Sequence, residues 1–188
     1  DTEVLIEAIS KIGIAQTLDI VSGMFAFAVW DKKNLCMTLA RDRMGEKPMY
    51  YSIQNNALIF ASELKALTKA SGFEFKICAN ALNLYFQHGY VPGPHSIYKK
   101  VSKLLPGHLI KFSQENLTNS DSHVQSKPFW ELRHSIDFKK KVFYKKNPQE
   151  AINDLTTLLE ESTKNQMVSD VQLDLFYLAA LIHQLLQL

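Results

Sequence analysis

Cysteine is scarce in this chain: Cys36 and Cys78 are the only two in 188 residues. Two thiols do not make the disulfide framework of a small secreted domain, and no signal-peptide pattern opens the sequence, so a reducing cytoplasm is the expected location. Net charge is also small. The 21 basic and 19 acidic side chains leave +2, too weak a field to indicate nucleic acid or an anionic membrane as a partner. The densest basic stretch, Lys139 to Lys141 with Lys145 and Lys146, reads as the solvated face of a linker. Long hydrophobic runs are missing, since the longest, Leu175 to Ile182, falls well short of the ~20 residues a membrane helix needs. Metal-ligand spacing is missing as well: His88, His95 and His108 stand apart from any paired Cys or His, and no metal site is expected. What remains is 46% hydrophobic, enough for the core of one full domain or of one domain plus part of another.

The densest pattern runs from Gly23 to Tyr51. Its apolar residues are β-formers in short runs, each stopped by a turn signal, Asp31 to Asn34 and then Gly45 to Pro48. Three strands of one sheet are expected, with the first, apolar on both faces, at its centre. Cys36 falls in the second strand as a small core residue. Asn55 and Asn56 turn the chain into a fourth strand, Ala57 to Phe60, and Ser62 reads as the cap of a helix over 63–70.

Upstream, Val4, Leu5, Ala8, Ile9, Ile12, Ile14 and Leu18 share a helical face, predicting a helix that lies against the sheet and breaks at Gly13. Downstream, Asn80 caps a helix that ends at His88 and Gly89, and Leu109 to Phe112 form a last strand. Residues 113–126 read as a polar surface loop. Pro148 then opens a helix with Ala151, Ile152, Leu155, Leu158 and Leu159 on one face.

Three blocks occur in a distinctive order: Gly23 to Asp31, Ala40 to Tyr51 (Ala-Arg-Asp-Arg-Met-Gly-Glu-Lys-Pro-Met-Tyr-Tyr), and Phe60 to Leu67. Together they resemble the glutaminase domain of asparagine synthetases. Gly89 to Tyr98 and Lys127 to Leu132 resemble further blocks of that family. The resemblance implies an α+β fold. Residues 1–113 would be the later part of an αββα sandwich of the Ntn-hydrolase-like glutaminase type, 114–147 a linker and junction strand, and 148–188 the truncated start of an α/β ATP-pyrophosphatase-type synthetase domain.

In that family an N-terminal cysteine hydrolyses glutamine, and the ammonia passes to a domain that activates aspartate as an adenylate with ATP and Mg²⁺. Glutamine, aspartate and ATP are thus the implied partners, with a homodimer in the full-length family. Asp1 matches the aspartate that holds the α-ammonium of glutamine, and a plain helix N-cap is the other reading of the same residue. The chain begins at Asp1 rather than Met, and a lost true start is expected. Neither Cys36 nor Cys78 sits at an N-terminus with a free amine, so no catalytic residue is assigned and this stretch is expected to be inactive.

Met167 to Val171 resembles the lead-in to the family's pyrophosphate loop, but Gln172 to Gln184 follows without a glycine. Backbone lined with Cβ atoms cannot approach phosphate as a Gly-Gly pair does, so no ATP-binding residues and no bound cofactor are expected. The genetic code offers a cause. Phe176 to Gln184 can be written TTC TAT CTG GCG GCA TTG ATT CAT CAG; read two bases later, it gives Leu-Ser-Gly-Gly-Ile-Asp-Ser-Ser, the family's loop. A frameshift near Gln172 would make 172–188 out-of-frame peptide. The DNA decides this: the Tyr177 codon is expected to end in T, and those of Leu178, Ala179, Ala180 and Leu181 in G, G, A and G. Another third base at Leu178 or Ala179 would break the glycine pair and leave ordinary substitution as the cause.

Two other readings stay open. One is a different glutamine-dependent amidotransferase of the same two-domain plan, acting on a cell-surface sugar or peptide. The other is a non-catalytic remnant that binds a partner through an open sheet.

Overall fold

The computed structural model describes residues 2–118, 124–135 and 147–167. The chain divides into two compact units, Asp1–Lys141 and Val142–Leu188.

The first unit opens on α1 (Thr2–Ile20), which bends at Gly13, where φ is 82° and ψ 164°. The Thr17 hydroxyl donates to the Gly13 carbonyl across the bend at 2.8 Å. Only the last turn is seated, with Thr17 and Leu18 buried. Of the expected apolar face, Leu5, Ala8, Ile9 and Ile14 are half-buried, while Val4 and Ile12 are exposed. The helix therefore docks by its end rather than along its length.

Strands β1 (Ala26–Asp31) and β2 (Cys36–Arg41) pair as an antiparallel hairpin. Asp31 builds its turn: Oδ1 accepts the N–H groups of Lys33 at 2.9 Å and Asn34 at 3.0 Å, and Oδ2 accepts the Asn34 amide at 2.7 Å. The bonds from Asn34 hold the Asp31 carboxyl below its usual range. Next come β3 (Tyr50–Gln54) and β4 (Ala57–Ala61), joined through Asn55 and Asn56 at φ 51° and 59°. Positive φ at both positions is what a two-residue hairpin turn requires, and asparagine tolerates it.

The unit continues through α2 (Leu64–Leu67), α3 (Ala79–His88), β5 (Val101–Lys103), β6 (His108–Ser113), α4 (Gln114–Thr118), β7 (Lys127–Pro128) and α5 (Leu132–Ser135). Two of the expected caps are different here. Glu63, not Ser62, holds the N-cap position of α2, and Cys78, not Asn80, that of α3; neither makes a side-chain cap bond. The expected end of α3 is where the sequence puts it, with Gly89 at φ 77° returning its N–H to Tyr85 at 2.8 Å.

The strands form two antiparallel sheets, ordered β1-β2-β6-β7 and β4-β3-β5. The single sheet expected for the first three strands is thus corrected: the chain leaves one sheet after Arg41 and enters the other at Tyr50. Gly45 at φ 71° and the Asp42 carboxylate, which takes the N–H groups of Glu46 and Lys47, turn it out of the first plane. The expected central position of the first strand is corrected too. Among the described residues β1 lies at an edge and is half-buried, with Trp30 49% exposed, whereas β2 is interior and buries Cys36, Thr38, Leu39 and Ala40. Apolarity on both faces of β1 does not translate into burial on both.

Both sheets contribute to one core. Leu39, Met49, Leu104, Ile110 and Phe112 are buried there, and Ala28 and Met37 of one sheet and Tyr51, Ile53 and Leu58 of the other pack against them. A smaller cluster of Leu67, Phe73 and Val101 lies under α2 and β5.

The described part of the second unit is α6 (Pro148–Gln166). Asn147 Oδ1 accepts the Glu150 N–H at 2.9 Å, and Glu150 Oε2 accepts the Asn147 N–H at 3.0 Å, a reciprocal cap followed by proline at the first helical position. Within this unit Ala151 is half-buried, and Ile152, Leu155, Leu158 and Leu159 are exposed. The basic run at 139–141 and 145–146 lies outside the described residues.

Candidate functional site

Three consecutive residues at the end of β2, Arg41, Asp42 and Arg43, fasten irregular backbone around a polar cleft of this unit. Arg41 donates from Nε to Lys47 O at 2.8 Å, from Nη1 to Leu104 O at 2.7 Å and from Nη2 to Gly45 O. Burial draws its guanidinium below the ordinary value, against the pull of Asp42 and Tyr50. Asp42, 1% exposed, accepts from Glu46 N and Lys47 N at 2.9 Å each. Its own N–H reaches Phe25 O at 2.9 Å, and its carbonyl accepts from Gly107 N at 2.8 Å. Arg43 reaches back to the end of α1, donating to Val21 O at 2.7 Å, Asp19 O at 2.8 Å and Leu18 O at 3.2 Å.

Lys103 extends the pattern. Its ammonium donates to Val91 O at 2.6 Å and lies 5.7 Å from the centre of the Tyr50 ring, and burial together with nearby Arg41 lowers its pKa. Cations that meet carbonyls instead of carboxylates act as fasteners for irregular backbone, which would otherwise carry unpaired acceptors.

The cleft so framed has a volume of about 450 Å³, within the range of small-molecule sites. Thr2 and Leu5 at the start of α1, a wall of Val21, Ser22 and Met24 to Phe27, Lys47 and Ser62 line it. Among the described residues Lys47 is the charged one in the lining, and its backbone is held on both sides, N–H by Asp42 and C=O by Arg41. Thr2, Ser22 and Ser62 add hydroxyls.

Asp1, the residue expected to hold an amino-acid ammonium, lies outside the described residues, next to Thr2 of the lining. The stretch Gln172 to Gln184, where the phosphate loop was expected, also lies outside them. Cys36 is buried at the start of β2, Cys78 precedes α3, and neither lines the cleft. His88 ends α3; His95 sits in a loop bridged to Ser102; His108 begins β6, with Nδ1 2.8 Å from Pro106 O. Among the described residues, no three or more His, Cys, Asp or Glu side chains are grouped to hold a metal ion, and no helix is long and apolar enough to cross a membrane.

Residues 1–130 match the glutamine amidotransferase domain family. The chain belongs to that family. This amidotransferase chain is 34% identical over 178 residues to a Methanocaldococcus jannaschii protein named provisionally as asparagine synthetase (glutamine-hydrolyzing) 2, covering 94% of this chain and 32% of that one. It is 32% identical over 186 residues to asparagine synthetase (glutamine-hydrolyzing) 2 of Bacillus subtilis, covering 94% and 23%. A match of 24% over 176 residues to amidase chyE of Penicillium rubens covers 94% and 24%. The chain thus spans about a third or less of the length of these curated relatives. The resemblance carried by the three sequence blocks is thereby established at the level of the domain family. All three blocks reach the cleft, the first through Met24 to Phe27, the second through Lys47 and the third through Ser62.

Proposed function

We propose that this chain supplies the glutamine-binding wall of an asparagine-synthetase-type glutaminase, completed as an αββα sandwich in a cytoplasmic protein that makes asparagine from aspartate and ATP. The observation that carries the reading is the cleft at the start of α1. It joins three hydroxyls and one ammonium on a fixed backbone, groups suited to a small zwitterion that also bears an amide. Asp1, one residue before Thr2, supplies the carboxylate for the α-ammonium.

The chemistry of these residues is binding. Acyl transfer from an amide needs a nucleophile held about 3–3.5 Å from the carbonyl carbon, and neither cysteine lines the cleft. Gln172 to Gln184 has no glycine and does not fit a pyrophosphate-cradling loop. ATP and Mg²⁺ therefore enter this reading only with the full-length family. The match to a protein named as an amidase sustains a second reading, an amidotransferase with another acceptor; an aspartate-binding segment further along the gene would separate the two.

Calorimetric titration with L-glutamine should show saturable binding to the 188-residue chain, with no ammonia released above a buffer blank. Absence of binding overturns the reading of the cleft; release of ammonia that Asp1→Ala abolishes overturns the binding-only assignment.

A further inference from the structure

The last turn of α1 has no basic residue of its own, and a helix end leaves carbonyls without intrahelical partners. Arg43 meets them from a different part of the chain, at Leu18 O, Asp19 O and Val21 O. The segment Val21 to Phe25 that follows forms one wall of the cleft, and its far end is held by the bond from Asp42 N–H to Phe25 O. Two adjacent residues therefore fasten both ends of the wall. In its middle Gly23, at φ 105°, has open space where a side chain would be, so that position does not brace the wall once its Arg43 end is released.

We infer that Arg43 is a positioning residue for ligand binding, whose planar guanidinium fixes the Val21 to Phe25 wall so that affinity depends on the fork rather than on positive charge. The inference rests on the reading of the cleft as a glutamine site. A single lysine ammonium cannot reproduce a two-nitrogen grip on three carbonyls, so charge alone does not restore it.

The test compares wild type, Arg43→Lys and Arg43→Ala in the full chain, isotopically labelled and titrated with L-glutamine at a temperature where all three are folded. Both variants should raise the Kd about tenfold or more, the scale of lost hydrogen bonds to a charged group. The amide resonances of Ser22 to Phe27 should shift and exchange faster with solvent, while those of Leu39 and Ile110 stay in place. A role confined to stability would lower the unfolding midpoint and leave the Kd and the wall resonances alone. Arg43→Lys with wild-type Kd and wild-type Ser22 to Phe27 resonances overturns the inference and leaves the glutamine reading standing. If wild type itself does not bind L-glutamine, the glutamine reading falls, and with it the ligand-positioning role, whatever the wall resonances show.

Discussion

Asp42→Ala should lower the stability of the first unit by about 2–5 kcal/mol, because it strands two backbone N–H groups in a site with almost no access to water. Against a typical total of about 5–15 kcal/mol that is a large fraction. Asp42→Asn keeps one acceptor oxygen but turns an NH₂ toward the other N–H, so it should recover only part of the loss. The loss should also be felt at Lys47, whose amide is one of the two stranded and should exchange faster. Urea unfolding of the three proteins measures this; an Asp42→Ala midpoint indistinguishable from wild type would mean that water replaces the carboxylate at no cost, and the clamp would lose its meaning.

Leu104→Ala should cost about 2–5 kcal/mol, the usual range for deleting a fully buried leucine side chain. Leu104 is 0% exposed and sits in the core to which both sheets contribute. Its backbone is pinned independently, N–H to Met49 O at 2.8 Å and carbonyl from Arg41 at 2.7 Å. The cavity should therefore stay open instead of collapsing, placing the cost toward the upper part of that range. Leu104→Met, which nearly conserves volume, should cost less than about 1.5 kcal/mol. Equal midpoints for the two variants would show that the site closes around alanine and that the pinned backbone is not rigid.

Much of the local structure was legible. The Asn55-Asn56 turn, the strand after it, the bend at Gly13, Gly89 and the helix opened by Pro148 all follow from single residues whose backbone preferences are strong. Sheet membership was not, because a turn signal says that a strand ends without saying where the next one pairs. The three-residue β5 carries too short a pattern to register, and α4 lies in a polar stretch that reads as loop.

For the site, Arg41 to Arg43 drew notice only as part of a family block. Period-two alternation continued from the buried side of Thr38 and Ala40 would have placed Asp42 inward, and a carboxylate carried into a core must find donors. What no spacing could supply is the identity of those donors, or that the three residues together hold stretches 18–25, 45–47 and 104–107 of the chain. The one residue assigned to the ligand from sequence, Asp1, lies outside the described residues, and its sequence neighbour Thr2 lines the cleft.

The switch between sheets also has a consequence for how the chain finds its shape. β2 meets β1 across the short turn 32–35, but meets β6 only after the whole second sheet has been traversed. Closing a long loop costs more chain entropy than closing a short one, and the return comes only once the distant partner arrives. Both hairpins can close locally, yet the sheet that carries the Arg41 to Arg43 clamp stays half-built until the residues just beyond Leu104 are in place.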